Sequence, residues 1–394
     1  MKNSIAIFDN HCCGCGVCSE ICPKSAITMQ KNLQGFVYPV VDSRKCVDCG
    51  LCVNSCRFNI KKIAISKDTH PRIFAFKHKS DDVRLNSQSG GAFTAISDII
   101  LKNGGVVYGC ELTDFTKAIH TRAETSEERD RQRGSKYIQS DISNVFKTIK
   151  DDLESGKQVL FSGTPCQVDA VKSFLRNTDT SKLITVDIIC HGVGSPAFWE
   201  DYLKSTRSKL NGKITGATFR NKVDFGWKWH SETIYFENKR HDSTLFKTMY
   251  VSHLISRKDC SQCVYKTIDR SGDISIGDCW GIKEILPDFF DDKGISLILI
   301  NNEKGMRIFN SLTDIDYVSA DNTKFLEQSP LRENWKLPKK YSQFWRFYKK
   351  NGFEKSTDKY LPYAKSIMFA DEAPTLTERI INKCIRTANQ LIRK

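Results

Sequence analysis

The sequence of 394 residues predicts an α/β protein, α+β overall, in three parts. These are a small cysteine-rich module at residues 1–68, a mixed α/β domain at 69–335 with subdomains at about 69–150 and 151–335, and a basic helical region at 336–394. Three observations support this division. Cysteines are dense near the N-terminus, strand and helix patterns alternate in the middle, and residues 332–394 hold fifteen Lys/Arg against six Asp/Glu.

The N-terminal module contains one cysteine pattern twice. Residues 12–23 follow Cys-x2-Cys-x2-Cys-x3-Cys-Pro, and the same spacing returns 34 residues later with Arg57 in place of the proline. This run is typical of bacterial ferredoxins, in which the fourth cysteine ligates the other 4Fe–4S cluster, and it fits zinc poorly. We treat Cys13 as a bystander. The pattern predicts one cluster on Cys12, Cys15, Cys18 and Cys56 and a second on Cys46, Cys49, Cys52 and Cys22.

Composition excludes several classes of protein. No stretch approaches the ~18 consecutive apolar residues of a transmembrane helix, and the N-terminus has no apolar core of a secretory signal. The sixteen cysteines are spaced as ligands, which favours the reducing cytoplasm over a disulfide-forming compartment. The net charge of +14 is concentrated in the C-terminal region without a recognition motif, so we expect no nucleic-acid partner.

The middle of the chain alternates between two periodicities. PRIFAFKHK, GVVYGCEL, KQVLFSG and LITVDIICHG predict strands, whereas SGGAFTAISDIILKNG, TPCQVDAVKSFL and SPAFWEDYLKS predict helices. Thr164 is the expected N-cap of the second helix, with Pro165 at its first position. This alternation indicates a largely parallel sheet, whose ligands gather at the C-terminal ends of the strands.

Four further cysteines suggest a third metal site. Cys166 and Cys190 each follow the end of a predicted strand, and KDCSQCVYK supplies Cys260 and Cys263. Our hypothesis is that these four bind a third 4Fe–4S cluster. The alternatives are a zinc knuckle or a redox dithiol for the Cys-x-x-Cys pair, and a buried small hydrophobe for each lone cysteine.

A flavin would connect such clusters to organic chemistry. Clusters transfer single electrons, most organic reductions need a pair, and a flavin is the usual converter. QSGGAFTAI (88–96) offers backbone amides at a helix N-terminus to a phosphate. RGSKYIQSD (133–141) offers Arg133 and Lys136 as cations and Tyr137 for stacking. A turn and a solvated loop are the alternative interpretations of these segments.

Seven segments together resemble one protein family. QSGGAFTAI, GSKYIQSD, FSGTPCQVDAV, DIICHGVGSP, FRNKVDFGWKW, the Cys260–Cys263 pair and RSGDISIGDCWGI are similar to the family of beta subunits of coenzyme F420 hydrogenases and dehydrogenases. The family includes 7-hydroxymethyl chlorophyll a reductase, and the resemblance spans roughly residues 1–340. It implies an FAD-containing iron–sulfur oxidoreductase whose third cluster is held by GTPCQ, CHG and the Cys-x-x-Cys pair. The FAD contacts that it implies are Ser89, Gly90, Gly91, Thr94, Ser135, Lys136 and Tyr137.

Candidate catalytic residues follow from position. His191 adjoins a predicted ligand and is a candidate proton donor to the flavin, with a structural histidine capping the turn as the alternative. Arg220, Lys222 and Lys228, with Trp227 between them, form a basic and aromatic cluster suited to an anionic small-molecule substrate, or else a solvated loop. We therefore name His191, Lys228 and Arg220 as candidate catalytic residues. We interpret Asp278 as ordering a turn and Cys110 and Cys384 as structural, and we do not count Cys279 as a ligand.

The expected function is an oxidoreductase that passes electrons between its clusters and FAD to reduce or oxidise an organic substrate or a deazaflavin-type cofactor. Bacterial members of the family suggest a surface-polysaccharide pathway as one setting. The alternative is an electron-transfer subunit that relays electrons to a partner enzyme and has no substrate of its own. An acidic ferredoxin or flavodoxin fits the basic charge as electron partner.

The C-terminal region carries two patterns. Aromatic residues at 341, 344, 345 and 348 predict a helix packed on the protein itself. The last twenty residues predict a basic amphipathic helix, which would either contact an anionic membrane surface or dock on the body of the protein.

Overall fold

A computed structural model describes residues 11–58, 71–320 and 323–368. The strands in these ranges are β1 (Ile27–Lys31), β2 (Val37–Val41), β3 (Arg72–His78), β4 (Val106–Thr113), β5 (Lys117–Ala123), β6 (Val159–Gly163), β7 (Leu183–Ile188), β8 (Ile214–Thr218), β9 (Glu232–Phe236), β10 (Arg240–Ser243), β11 (Ile274–Asp278), β12 (Ser296–Ile300) and β13 (Ile315–Ser319). The α-helices are α1 (Val17–Glu20), α2 (Leu51–Asn54), α3 (Asp81–Leu85), α4 (Ala92–Lys102), α5 (Ser126–Asp130), α6 (Phe146–Glu154), α7 (Pro165–Phe174), α8 (Pro196–Leu210), α9 (Lys222–Phe225), α10 (Leu245–Val251), α11 (Ile282–Ile285), α12 (Glu303–Asn310) and α13 (Tyr341–Met368).

An eight-stranded sheet organises the large domain, in the order β13-β3-β12-β11-β7-β6-β4-β5. The central strands β11, β7, β6 and β4 are parallel, whereas the outer pairs are antiparallel. The expected largely parallel sheet is therefore mixed, because a short connection joins β4 to β5 as a hairpin and β12 returns antiparallel to β11. Strands from both sides of residue 150 share this one sheet, so the two expected subdomains are joined within it.

The sheet is the middle layer of a three-layer core. Along β4, Val107 packs with the α4 residues Ala92, Ile96 and Ile100 on one face. Its neighbours in the strand, Val106 and Tyr108, pack with α6 and α7 on the other face. Alternate side chains of a strand point to opposite faces, so an apolar run is buried on both. The strands and helices predicted between residues 72 and 206 are all present.

Helix α13 covers the end of α8 with aromatic side chains. Tyr341, Phe344, Trp345 and Tyr348 are all buried, and the Phe344 and Tyr348 rings lie 6.3 Å and 6.0 Å from that of Phe198. The predicted packing of the aromatic stripe on the protein is confirmed. The basic amphipathic segment at 375–394 lies outside the described residues. Across the described ranges, no helix combines the length and the apolar character needed to cross a membrane.

A buried carboxyl joins the small sheet β10-β9-β8 to helix α10. Glu232 is fully buried at the start of β9, and its side chain accepts hydrogen bonds from the amides of Phe246 at 2.8 Å and Lys247 at 3.4 Å. Burial raises the pKa of Glu232 to about 7. The folded protein therefore keeps a proton on this group that the unfolded chain releases near its ordinary pKa of ~4.3.

This difference predicts a pH-dependent contribution to stability. As pH rises from ~4.3 to about 7, the folded state binds more protons than the unfolded state at Glu232, so this group lowers the free energy of unfolding. Glu232→Gln removes the titration and keeps an acceptor for the α10 amides. We expect the thermal midpoint of the variant minus that of the wild type to be larger at pH ~8 than at pH ~5.5. The exposed Glu237→Gln should show no such trend, and an equal difference at both pH values for Glu232→Gln would contradict the assignment.

Candidate functional site

The cysteines of the two N-terminal repeats line two cavities. The cluster-one cavity is lined by Cys12, Cys15, Cys18 and Cys56, and the cluster-two cavity by Cys22, Cys46, Cys49 and Cys52. Helices α1 and α2 start after Gly16 and Gly50, whose φ values of 79° and 75° suit glycine. Each cavity therefore collects three cysteines from one repeat and the fourth from the other, in the grouping that the sequence predicts.

The chemistry of these donors fits a soft metal. Burial raises the pKa of Cys18 to about 12, so only a bound cation would keep this sulfur a thiolate near neutral pH. Metal binding deprotonates cysteine ligands, and sets of four thiolates at this spacing hold 4Fe–4S clusters.

A third cysteine cavity lies at one edge of the large sheet. Cys166 is the second residue of α7, directly after β6, and Cys190 follows β7 by two residues. Because β6 and β7 are parallel neighbours, the chain leaves both strands at the same edge. The 3-10 turn Lys258–Gln262 brings Cys260 and Cys263 there, and all four cysteines line this cavity.

Local hydrogen bonds fix the positions of the sulfurs. The Thr164 hydroxyl lies 3.1 Å from Cys166 Sγ, and the Gly192 amide donates to Cys190 Sγ at 3.3 Å. A Cβ atom built on Gly192 would lie 3.2 Å from the Cβ of Cys260, so the Cys190 loop and the 3-10 turn are in close contact. Three segments that are distant in the sequence thus bring their cysteines to the wall of one cavity.

Cys13, expected to be a bystander, lies in the wall between two of the cavities. It lines both the cluster-one cavity and the third cysteine cavity, and its thiol shares hydrogen bonds with Cys15 and Cys166. The cluster-one cavity and the third cysteine cavity are therefore immediate neighbours. Other residues that line both are Cys15, Phe58, Cys166, Asp259 and Tyr265.

A cleft with a volume of about 720 Å³ adjoins the third cysteine cavity on its other side. Cys190 and Gly192 line both spaces, as do Ser140, Thr164, Gln167 and Val193. The third cysteine cavity therefore lies between the N-terminal module and the cleft.

Both segments expected to bind FAD reach the cleft. Two of the seven implied residues lie behind its wall: a Cβ atom on Gly90 would lie 2.3 Å from the carbonyl oxygen of Phe76, and Thr94 is buried within α4. Gly91, with φ of 89°, forms the N-cap of that helix. The implied residues that line the cleft are Ser89, Gly91, Ser135, Lys136 and Tyr137.

Lys136 orders its own loop rather than extending as a free cation. Its Nζ donates to the carbonyl oxygens of Gln132, Arg133 and Gly134 at 3.0, 2.7 and 3.1 Å. Burial lowers the pKa of Lys136 to about 8. Tyr137 also has protein neighbours, since its ring lies 5.2 Å from that of Tyr250.

Several buried polar atoms around the cleft lack a hydrogen-bond partner among the described residues: Gln88 Nε2, His120 Nδ1, Gln132 Oε1 and Arg133 Nε. Buried polar groups are normally paired, so this set indicates that a polar ligand belongs here. His120 Nε2 lies 3.0 Å from the carbonyl oxygen of Ser162 and must carry the proton, which leaves Nδ1 as an acceptor. Sequence reasoning missed His120 because an isolated histidine on a strand has no motif.

The three candidate catalytic residues occupy different environments. His191 and Lys228 are exposed and line the cleft, and partial desolvation together with the nearby Lys266 charge lowers the pKa of His191 below its ordinary value, so its ring is neutral near pH 7. Arg220 is different, because its side chain is 0% exposed and its Nη1 lies 2.7 Å from Asp278 Oδ2. Arg220 therefore supports the cleft from beneath and does not reach a substrate.

Most of the expected basic and aromatic cluster is likewise structural. The Lys222 ammonium donates to the carbonyl oxygens of Arg84, Ser89 and Lys293, and Trp227 is buried against Trp280 with ring centroids 5.0 Å apart. Lys228 is exposed, and it is the one member of this described group that lines the cleft.

Asp278 has the ordering role that the sequence suggests. Its carboxylate accepts hydrogen bonds from Arg220 and, at 2.7 Å, from Trp227 Nε1. Cys279 is fully buried in an apolar cluster, in keeping with a structural role, while Cys110 lines the cleft. Cys384 lies outside the described residues.

The structure adds polar residues at the same end of the cleft as His191. His230 lies two residues after Lys228, and the K-W-H run could have suggested it. Lys247 lies in α10 and His253 follows that helix, which carries no motif. Burial lowers the pKa of both His230 and His253 to about 3. This end of the cleft therefore combines neutral imidazoles with lysine side chains, since His191, Lys228, His230, Lys247 and His253 all line it.

Comparisons with known proteins agree with this organisation. Residues 11–60 match the 4Fe-4S dicluster domain, and residues 156–324 match the family described as the C terminus of the coenzyme F420 hydrogenase/dehydrogenase beta subunit. One of the subunits of the F(420)H(2) dehydrogenase of Methanosarcina mazei is 21% identical over 331 residues, which cover 80% of this chain and 86% of that protein.

Two further likenesses extend over most of the chain. An uncharacterized protein of Methanocaldococcus jannaschii is 22% identical over 364 residues, covering 81% of this chain and 91% of that one. A chain of the F420-reducing [NiFe] hydrogenase complex from Methanosarcina barkeri aligns with a TM-score of 0.45 and 17% identity, over 73% of this chain and 90% of that one. The two family matches fall on the N-terminal cysteine module and on the domain that carries the third cysteine cavity. Residues 156–324 therefore carry the C-terminal domain of the coenzyme F420 hydrogenase/dehydrogenase beta-subunit family, and a 4Fe–4S dicluster domain at residues 11–60 precedes it.

Proposed function

We propose that this protein is an FAD-dependent iron–sulfur oxidoreductase with two N-terminal 4Fe–4S clusters and a third 4Fe–4S cluster beside the flavin. One observation carries the proposal: the third cysteine cavity shares wall residues with the cluster-one cavity on one side and with the cleft on the other. When bound, the clusters would supply single electrons and FAD would convert them to the electron pair that organic reductions need.

The third cysteine cavity favours a cluster over its alternatives. A redox dithiol needs two cysteines, yet Cys166 and Cys190 line the same cavity as the Cys-x-x-Cys pair. Burial raises the pKa of Cys263 to about 12, which is opposite to the lowered pKa that activates a redox thiol. Zinc would satisfy four thiolates, but a redox-inert ion would interrupt a path between the N-terminal clusters and the cleft.

The residues of the cleft fit FAD. The turn before α4 brings Ser89 and Gly91 to the cleft wall, where helix amides favour an anionic group such as a phosphate. The unpaired atoms of Gln88, Gln132 and Arg133 would hydrogen-bond to the polar parts of the cofactor. The volume of about 720 Å³ also suits a ligand larger than a simple metabolite.

The end of the cleft that carries His191 would bind the substrate. Lys228 and Lys247 would attract an anionic molecule, while the neutral ring of His191 can donate a hydrogen bond from one ring nitrogen and accept one at the other near pH 7. An organic anion or a deazaflavin-type cofactor fits this chemistry, and we retain a surface-polysaccharide pathway as one setting for such a substrate.

The second candidate is an electron-transfer protein without a substrate of its own. The Methanosarcina mazei relative is a subunit of an F(420)H(2) dehydrogenase, which favours contact with partner proteins. One observation distinguishes the two candidate functions. An enzyme would oxidise its reduced flavin with a soluble organic substrate, whereas a relay protein would do so only with its protein partner.

A pair of arginines in one loop tests the FAD assignment. Arg133 lines the cleft with an unpaired Nε, whereas Arg131 is 60% exposed on the same loop. Hydrogen bonds to charged groups contribute about 1.5–3 kcal/mol, so Arg133→Met should weaken FAD binding by ~10-fold or more. Arg131→Met should leave it unchanged. Titration of flavin-free protein with FAD, followed by flavin fluorescence, measures both dissociation constants, and equal values for the two variants would contradict the site.

The cluster-two cavity is where we expect the electron partner to dock. Cys49 and Val47 are exposed there, and the neighbouring Lys24 and Lys45 are exposed cations. An acidic ferredoxin or flavodoxin would bring its own cofactor to this face and would be attracted by these charges.

Charge reversal tests this docking. Lys24→Glu/Lys45→Glu should slow anaerobic reduction by an acidic ferredoxin ~10-fold at low salt and leave reduction by dithionite unchanged, because dithionite needs no docking. The difference should shrink at ~0.5 M salt, where surface charges are screened. The matched control is Lys349→Glu/Lys350→Glu on the exposed side of α13. Stopped-flow absorbance measures the rates, and equal slowing by the control would place the partner elsewhere.

A further inference from the structure

Arg257 is a buried cation that ties the N-terminal module to the third cysteine cavity. Its side chain is 0% exposed, and it lies three residues before Cys260. Its Nε donates to the carbonyl oxygen of Cys12 at 2.8 Å, and its Nη2 donates to that of Val37 at 3.1 Å. The guanidinium also lies 4.1 Å from the ring centroid of Tyr38. One side chain from the large domain thus holds both the first cysteine segment and β2.

Asp259 binds the main chain of the same cysteine on the other side of its Cα atom, through the amide. Its Oδ1 accepts a hydrogen bond from the amide of Cys12 at 3.2 Å, and its Oδ2 accepts one from the Tyr38 hydroxyl at 2.8 Å. It pairs with Arg257 at 3.3 Å and lines both the cluster-one cavity and the third cysteine cavity. Opposite charges therefore flank the backbone of one predicted cluster ligand.

We propose that Arg257 and Asp259 set the reduction potential of the cluster held by Cys12 and fix its position beside the third cysteine cavity. Both are positioning residues, because they bind the main chain of Cys12 and not a reacting atom. The part of the inference that concerns the third cysteine cavity rests on the proposed function. The part that concerns cluster one needs only the dicluster domain.

The electrostatic argument gives each residue a sign. Reduction adds one negative charge to a cluster, so a nearby cation favours the reduced state and a nearby anion disfavours it. Both effects are stronger away from water than at an exposed surface. A buried ion pair is costly to desolvate and is weak evidence for stability alone. Arg257 is therefore expected to raise the midpoint potential, and Asp259 to lower it.

Three variants test these signs by anaerobic redox titration of the N-terminal clusters, monitored by electron paramagnetic resonance. Arg257→Met should lower the midpoint potential of cluster one, and Asp259→Asn, which keeps the shape of the side chain, should raise it. We expect each change to alter the ratio of reduced to oxidised cluster about tenfold at a given potential, equivalent to about 59 mV for one electron. Arg257→Lys keeps the charge and should restore most of the lost potential.

The control is Arg129→Met, which removes another buried arginine paired with acids, at 2.7 Å from Asp98 and 2.9 Å from Asp130. It should leave the cluster potentials unchanged even if it lowers the thermal midpoint. Shifts of the same sign for Arg257→Met and Asp259→Asn, no shift, or loss of the cluster signal in all three variants would overturn the proposal and leave the pair as structural ties. Because cluster one is measured directly, absence of a third cluster would refute the proposed function without obscuring these shifts.

Discussion

Strands β6 and β7 run parallel and side by side, with Gly163 paired to Asp187, and the rest of the site depends on this pairing. The chain must leave both strands at the same edge of the sheet, and both exits carry a cysteine within three residues. The first exit becomes α7, begun by Thr164 and Pro165, and the second becomes the loop before α8. The geometry of the sheet therefore brings together two thiols that are 24 residues apart in the sequence.

The N-terminal module is attached at this same edge. Arg57 lies 3.2 Å from Asp169 on α7, the Ser173 hydroxyl donates to the carbonyl of Ser55 at 3.0 Å, and a Cβ atom on Gly14 would lie 2.4 Å from the side chain of Gln139. Among the described residues, the module is therefore in direct contact with α7 and with the Gln139 segment. The cluster-one cavity and the third cysteine cavity come to share a wall because the module packs directly on the helix that presents Cys166.

Local patterns account for the parts of the structure that the sequence predicts correctly. The cysteine repeats, the Ser/Thr-Pro helix starts and the apolar runs of β3, β4, β6 and β7 are each encoded within about ten residues. The antiparallel pairing of β3 with β12 and β13 joins segments that are far apart in the sequence and lacks such a signal. Arg220 illustrates the limit: its charge suggested a substrate contact, but the chain buries it against Asp278, 58 residues later. His120, Arg257 and Asp259 gain their significance only from partners far away in the sequence.

The most direct test of the central claim is the content of iron, sulfide, zinc and FAD per chain in anaerobically purified protein, compared with a Cys260→Ser/Cys263→Ser variant. The account predicts about 12 irons and one FAD in the wild type and about 8 irons in the variant, because three 4Fe–4S clusters would fall to two. About 8 irons with one zinc in the wild type, or no FAD, would contradict it. The third cysteine cavity would then be a structural metal site beside a two-cluster ferredoxin domain.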